Sequence, residues 1–114
     1  MTVPMDGQLI GRWRIVEADL WDRAHLDLVG PAMMTIGAHG RGEITFGAMQ
    51  GGLELEYSRS TVFFTWAGFE EMDQVSGSGS AELQDDGSLE IAFAYHLGDE
   101  VLLKAVRAPS STTC

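Results

Sequence analysis

The stretch Gly11-Arg12-Trp13-Arg14-Ile15 opens the first strand that the sequence predicts. Its tryptophan and isoleucine lie on one face of that strand and its two arginines on the other, as the two-residue period of a strand requires. The apolar face shifts from Val16 onward, which predicts a bulge or a sharp bend near Glu17. A large aromatic at the start of the apolar face suits one end of an all-β barrel, where it would act as a plug.

The rest of the chain consists of short segments of alternating apolar and polar residues, separated by turn residues. The predicted strands cover residues 32–36, 43–49, 53–57, 61–67, 76–83, 89–97 and 101–107. Glycines at 37–42, Gly51-Gly52 and the Asp85-Asp86-Gly87-Ser88 sequence supply turns between them. Residues 68–75 are predicted to form the longest irregular stretch. The Ser/Gly repeat at 76–80 has a linker's composition, but its small alternate residues also suit a strand approached closely by other groups.

With the first strand, this pattern predicts an all-β fold of about eight strands in an antiparallel up-and-down barrel. A short helix is predicted at 22–29, between strands 1 and 2, capped by Asp22 and ended by Gly30-Pro31. A two-sheet sandwich is the alternative, because strand spacing alone does not separate the two architectures. Residues 1–108 are predicted to be one domain, and residues 109–114 a disordered tail.

The charge and the cysteine content exclude several classes of function. Seventeen acidic residues against seven Lys and Arg give a formal net charge of -10, which repels nucleic acid and anionic membrane surfaces. No apolar run reaches the roughly 20 residues that a membrane span needs. The only cysteine is Cys114, so no internal disulfide can form. With no secretory signal recognisable at the N-terminus, we expect a cytoplasmic protein without nucleic-acid or membrane partners.

Two resemblances accompany this pattern. Gly11-Arg12-Trp13 resembles the glycine-x-tryptophan motif of the lipocalins and the wider calycin group, in which an arginine on the last strand packs across the tryptophan. That resemblance implies a closed barrel and gives the arginine's part to Arg107. The predicted helix also stands where fatty-acid-binding relatives carry their helical lid. The chain is similar throughout to uncharacterised bacterial proteins with a Trp-x-Gly-x-Asp/Glu-Glu-x-Asp-x-x-Ser-Gly segment, here residues 66–77, and this brings no function.

The first functional hypothesis is a small binding barrel that takes an apolar ligand, which calycin-like barrels admit at one mouth. The residues predicted to line its pocket are Trp21, His25, Leu28, Met34, Phe46, Tyr57, Phe64 and Phe93. A small eight-stranded barrel can also be filled by its own side chains. No catalytic constellation, cofactor motif or metal-ligand spacing is present, so an enzyme is the less favoured interpretation and no cofactor or metal is predicted.

The alternative hypothesis is a protein-interaction module that acts as a homodimer. The alternation places Phe63 and Phe69 on the outside of the barrel, and exposed apolar residues commonly mark an interface. The acidic segment Glu70-Glu71-x-Asp73 offers oxygen ligands to a cation, but it lacks the spacing of a calcium loop and is expected to be solvated.

Overall fold

The computed structural model describes residues 9–19, 26–27 and 30–108, and in it the chain forms one closed antiparallel barrel. Each strand pairs with the next along the chain, and the last pairs with the first, so the all-β up-and-down barrel is confirmed. The strands are β1 (Gly11–Ala18), β2 (Met33–Ile36), β3 (Arg41–Phe46), β4 (Met49–Tyr57), β5 (Thr61–Glu70), β6 (Asp73–Leu83), β7 (Leu89–Tyr95) and β8 (Glu100–Arg107). The predicted tail and all of the predicted helix except Leu26 and Asp27 lie outside the described residues.

The barrel is closed at one end by the pair of side chains that the sequence predicts. Trp13 is buried, and the guanidinium carbon of Arg107 lies 4.2 Å from the centre of its ring. Arg107 Nη1 also donates a hydrogen bond to the carbonyl of Ile10 at 2.8 Å, and Trp13 Nε1 donates to the carbonyl of Leu9 at 2.9 Å. Trp13 and Arg107 thus connect Leu9 and Ile10 to β1 and β8. We call the pairing of these two strands, which closes the barrel, the closing seam.

The β1–β8 pairing contains the predicted bulge. The register shifts between Ile15 and Glu17, which leaves Val16 as the extra residue. Leu26 is fully buried, and its carbonyl accepts a hydrogen bond from the amide of Gly47, in the turn between β3 and β4, at 2.7 Å. Asp27 then pairs with Arg14 of β1 at 2.7 Å.

Aromatic rings on β5 pack against glycine residues on β6. Phe64 is paired with Gly79 and Trp66 with Gly77, all at inward positions. A Cβ at Gly79 would lie 2.7 Å from Phe64 Cζ, and one at Gly77 would lie 2.8 Å from Trp66 Nε1. Because the ring of Trp66 passes over Gly77, its Nε1 reaches the carbonyl of Ala94 on β7, 3.1 Å away. The Ser/Gly repeat is therefore a strand, as predicted, and its glycines make room for the core.

Two predicted turns are wrong. The connection between β3 and β4 lies at Gly47 and Ala48, where Gly47 takes a positive φ of 58°, and Gly51-Gly52 lies inside β4. The predicted irregular stretch 68–75 is also strand, because β5 continues to Glu70 and β6 starts at Asp73 after a turn of two residues. Both errors have one cause: glycine and carboxylate clusters are typical of loops, whereas here the pairing of neighbouring strands decides the structure.

We expect Gly79→Ala to lower the free energy of unfolding by about 1 to 3 kcal/mol, since the new methyl group would overlap Phe64 and the backbone of Ala92. Gly52→Ala is the matched control in the same sheet. A Cβ there meets nothing within 4 Å, so this substitution should be neutral or slightly stabilising. Urea unfolding of the three proteins measures both effects, and equal losses would contradict the packing account.

Replacing Arg107 by Ala should cost about 1 to 2 kcal/mol, because it removes a cation-π contact and a charged hydrogen bond at the closing seam. Glu100→Ala, at an exposed outward position of the same strand that pairs with Ala94, should change stability by less than about 0.5 kcal/mol. Thermal or urea unfolding distinguishes the two. Equal small effects would show that the seam does not depend on Arg107.

Candidate functional site

The residues predicted to line a ligand pocket are brought together only in part. Met34, Phe46, Phe64 and Phe93 all point into the barrel and are buried. Tyr57 lies half-buried at the turn end of β4. Trp21, His25 and Leu28 lie outside the described residues, so their place in a pocket stays a prediction.

The interior is occupied by rings that contact one another, and Phe93 lies at their centre. Its ring stacks on Trp66 at 4.5 Å between centroids and meets Phe46 edge-on at 5.2 Å. Phe64 and Tyr95 complete the cluster at 6.3 Å and 5.6 Å from Phe93. A ligand at this position would have to displace these contacts. Binding of a small apolar molecule inside the barrel therefore stays a prediction that the described geometry does not favour.

The hydroxyl of Tyr57 is hydrogen-bonded to the turn between β2 and β3. Its hydroxyl donates a hydrogen bond to the carbonyl of Gly37 and accepts one from the amide of Gly40 at 3.0 Å. Both polar functions of the hydroxyl are thus used in holding this turn to β4. The sequence gives no sign of this role, because Tyr57 and its two partners are 17 and 20 residues apart.

In the part of the chain that the structure describes, the outer clefts include four that are not lined by Met34, Phe46, Tyr57, Phe64 or Phe93. One of about 780 Å³ lies over β1, β8, β7 and β6, where acidic residues surround Lys104. Its acidic residues are Glu17, Asp19, Glu82, Asp85, Asp86 and Glu90. In this cleft Asp86 accepts hydrogen bonds from the hydroxyl and amide of Ser88 at 2.6 and 2.9 Å, which lower the pKa of its carboxyl and fix the β6–β7 turn.

The predicted acidic segment is a tight turn rather than a loop. Glu70 is the last residue of β5, and Glu71 and Met72 form the turn with positive φ angles of 52° and 79°. Among the described residues, no three His, Cys, Asp or Glu side chains come close enough to hold a metal ion. His39 and His96 are exposed in turns, and β7 ends before His96 rather than at residue 97 as predicted.

At the same end of the barrel, Tyr95 lies near Glu70. The ring of Tyr95 meets Trp66 edge-on at 5.2 Å. Burial raises the pKa of Tyr95 well above its ordinary value, and the nearby carboxylate of Glu70 adds to the shift. The phenol of the folded protein therefore stays neutral at alkaline pH.

The feature that stands apart from the core is the outward side of β5. We name as the β5 face the four side chains Phe63, Thr65, Ala67 and Phe69, all of which are exposed. Phe63 and Phe69 are 51% and 55% exposed, as predicted from the alternation. On β6 the face continues in Ser80, Ser78, Ser76 and Gln74, and on β7 in Ala92 and Ala94. The result is a broad outer surface of small and uncharged side chains with an aromatic ring at either end of β5.

Raising the pH through about 10 should destabilise the protein through Tyr95. Above that pH the unfolded chain releases the phenol proton while the folded chain keeps it, so the free energy of unfolding falls as pH rises. Tyr95→Phe keeps the ring contacts and removes the titrating group. We expect the wild type to lose about 0.5 to 1 kcal/mol more than this variant between about pH 9 and 11, after allowing for solvent screening. Parallel pH dependences in urea unfolding would contradict the shift.

No family model matches the chain, and no curated protein or solved structure is significantly similar to it. The calycin resemblance and the similarity to uncharacterised bacterial proteins therefore stay predictions, even though the barrel and the Trp13–Arg107 contact are observed. Within the described ranges, no helix is long and apolar enough to cross a membrane. A function for this chain can therefore be proposed only from its own geometry.

Proposed function

We propose that the chain is a protein-interaction module that forms a homodimer through the β5 face. The observation that carries the proposal is the exposure of Phe63 and Phe69 on an uncharged surface of a strongly acidic molecule. Exposed aromatic rings are costly in water and are the side chains most enriched at protein interfaces. Covering both rings in one contact removes that cost.

The distribution of charge supports a second copy as the partner. Two chains that each carry a formal charge of -10 repel each other, so their contact must keep carboxylates apart. The outward residues of β5, β6 and β7 include only two charged side chains, Glu82 and Glu90, which face each other at one end of β6 and β7. On β4, the other neighbour of β5, the exposed Glu54 and Glu56 pair with Thr65 and Phe63. Two acidic molecules can therefore meet with least repulsion around Phe69 and on the β6 and β7 side of the β5 face.

The size of the face predicts the strength of the dimer. Phe63 and Phe69 are six residues apart on one strand, which corresponds to about 20 Å, and the three strands β5, β6 and β7 at about 4.8 Å spacing give a width of roughly 15 Å. Such a contact is smaller than the roughly 800 Å² per partner of a standard stable interface. We therefore infer a reversible dimer with a dissociation constant in about the micromolar range.

Replacing both rings, in the variant Phe63→Thr with Phe69→Thr, should abolish self-association and leave the barrel folded, because threonine suits an exposed strand position. The measurement is sedimentation velocity from about 5 to 500 µM protein, a range that brackets a micromolar constant. The wild type should shift from monomer to dimer over this range, whereas the variant should stay monomeric with an unchanged melting temperature.

Val106→Thr is the matched control. Val106 is an exposed apolar residue at an outward position of β8, but it pairs with Arg14 of β1, on the opposite side of the barrel from β5. This variant should dimerise like the wild type. A wild type that stays monomeric throughout the range would refute the proposal, and so would a dimer that the double variant leaves intact.

A further inference from the structure

The outer surface beside Phe69 is hollow because β4 carries glycine there. Gly52 is exposed in the middle of β4, its φ is not positive, and a Cβ added to it would meet nothing within 4 Å. By contrast, a Cβ on its neighbour Gly51 would lie 3.0 Å from the carbonyl oxygen of Ala67. Glycine inside a strand lowers stability and commonly marks a place where another group approaches closely. Among residues 9–19, 26–27 and 30–108, none makes that approach at Gly52.

Gly52 lies where two outer clefts meet. A cleft of about 580 Å³ has Gly51, Gly52, Ala67 and Gly68 among its lining residues, together with Phe69, Met33, Arg12 and the acidic Glu43, which lies on β3 and pairs with Gly52. A second cleft of about 540 Å³, over β3, β4 and β5, is also lined by Gly52 and Ala67. A projecting ring and a hollow therefore lie side by side on one surface.

The surroundings of the two rings differ. Phe69 is flanked across the strands by Gln50 and Gln74, both uncharged, whereas Phe63 is flanked by Glu56 on β4. A ring that inserts into a second acidic molecule brings its neighbours with it, and carboxylates so placed would meet those of the partner. Phe69 is therefore the better suited of the two to enter a partner.

We infer that, in the homodimer proposed above, the ring of Phe69 from each copy is seated in the cleft over Gly52 of the other. This inference rests on the proposed function. A twofold axis makes an interface of one patch used twice, so a ring and a hollow beside each other on that patch meet reciprocally. The seating covers the exposed ring and fills the space that a side chain at position 52 would occupy.

Two single variants test the seating, one for the ring and one for the hollow. Phe69→Ala removes the ring, and Gly52→Val fills the hollow. Each should weaken self-association by at least about tenfold, because an aromatic anchor in a pocket is the kind of contact that dominates an interface. Neither should lower the melting temperature of the monomer, since residue 69 is exposed and a Cβ at residue 52 meets nothing nearby. Should Gly52→Val impair folding, Gly52→Ser fills the same space with a smaller side chain.

Mixing the two variants distinguishes contact between copies from contact within one copy. In a mixed dimer, the ring of the Gly52→Val chain enters the open hollow of the Phe69→Ala chain, and the filled hollow faces an alanine. We expect native mass spectrometry of the equimolar mixture to show mixed dimers at concentrations where each variant alone is monomeric. The pair Phe63→Ala with Gly52→Val is the control and should not recover the dimer in this way.

The results that would contradict this inference separate the seating of Phe69 from the homodimer itself. If Phe69→Ala weakens the dimer but Gly52→Val does not, or if the two weakened variants form no mixed dimer, the seating over Gly52 is wrong while the homodimer stands. If the wild type does not dimerise at all, the proposed function fails and the seating fails with it.

Discussion

The structure depends on filling a small closed barrel with aromatic rings that its own backbone must accommodate. Phe64 and Trp66 on β5 lie across β6, and this is possible only because Gly79 and Gly77 have no side chains there. The same arrangement lets Trp66 hydrogen-bond to Ala94 on β7, so three neighbouring strands are connected by one indole ring. Interiors packed to this extent gain dispersion and hydrophobic energy but leave little freedom for change.

Because aromatic rings occupy the described interior, the outer surface is the more favourable place for a functional site. Phe93 contacts four other aromatic rings, and the hydroxyl of Tyr57 is used by the β2–β3 turn, so side chains that a ligand would contact are already engaged within the fold. The outer surface, in contrast, presents two aromatic rings that no contact in the described fold covers.

The sequence predicts the fold through features that are local or strictly periodic. The period of two identified the inward and outward sides of the strands, including the exposure of Phe63 and Phe69, and the change of face from Val16 onward located the bulge. Arg107 was placed over Trp13 by a resemblance, since no local pattern connects residues so far apart. The turn positions failed because composition was used where pairing decides: Gly51-Gly52 is typical of a turn, yet Gly47 takes that role four residues earlier.

Because Gly51-Gly52 lies within β4 and does not form the predicted turn, the glycine at position 52 needs another explanation. A glycine in a turn needs no further explanation, and those at 77 and 79 are explained by the rings above them. Once the turn is placed at Gly47 and Ala48, Gly52 remains as a strand glycine that neither its backbone conformation nor its packing against the described residues requires. Selection for stability alone would favour a β-branched residue at such an exposed strand position. In the proposed dimer the cost of keeping glycine is offset by the partner, whose Phe69 ring, flanked by two glutamines, fills the space beside Glu43 without adding a carboxylate.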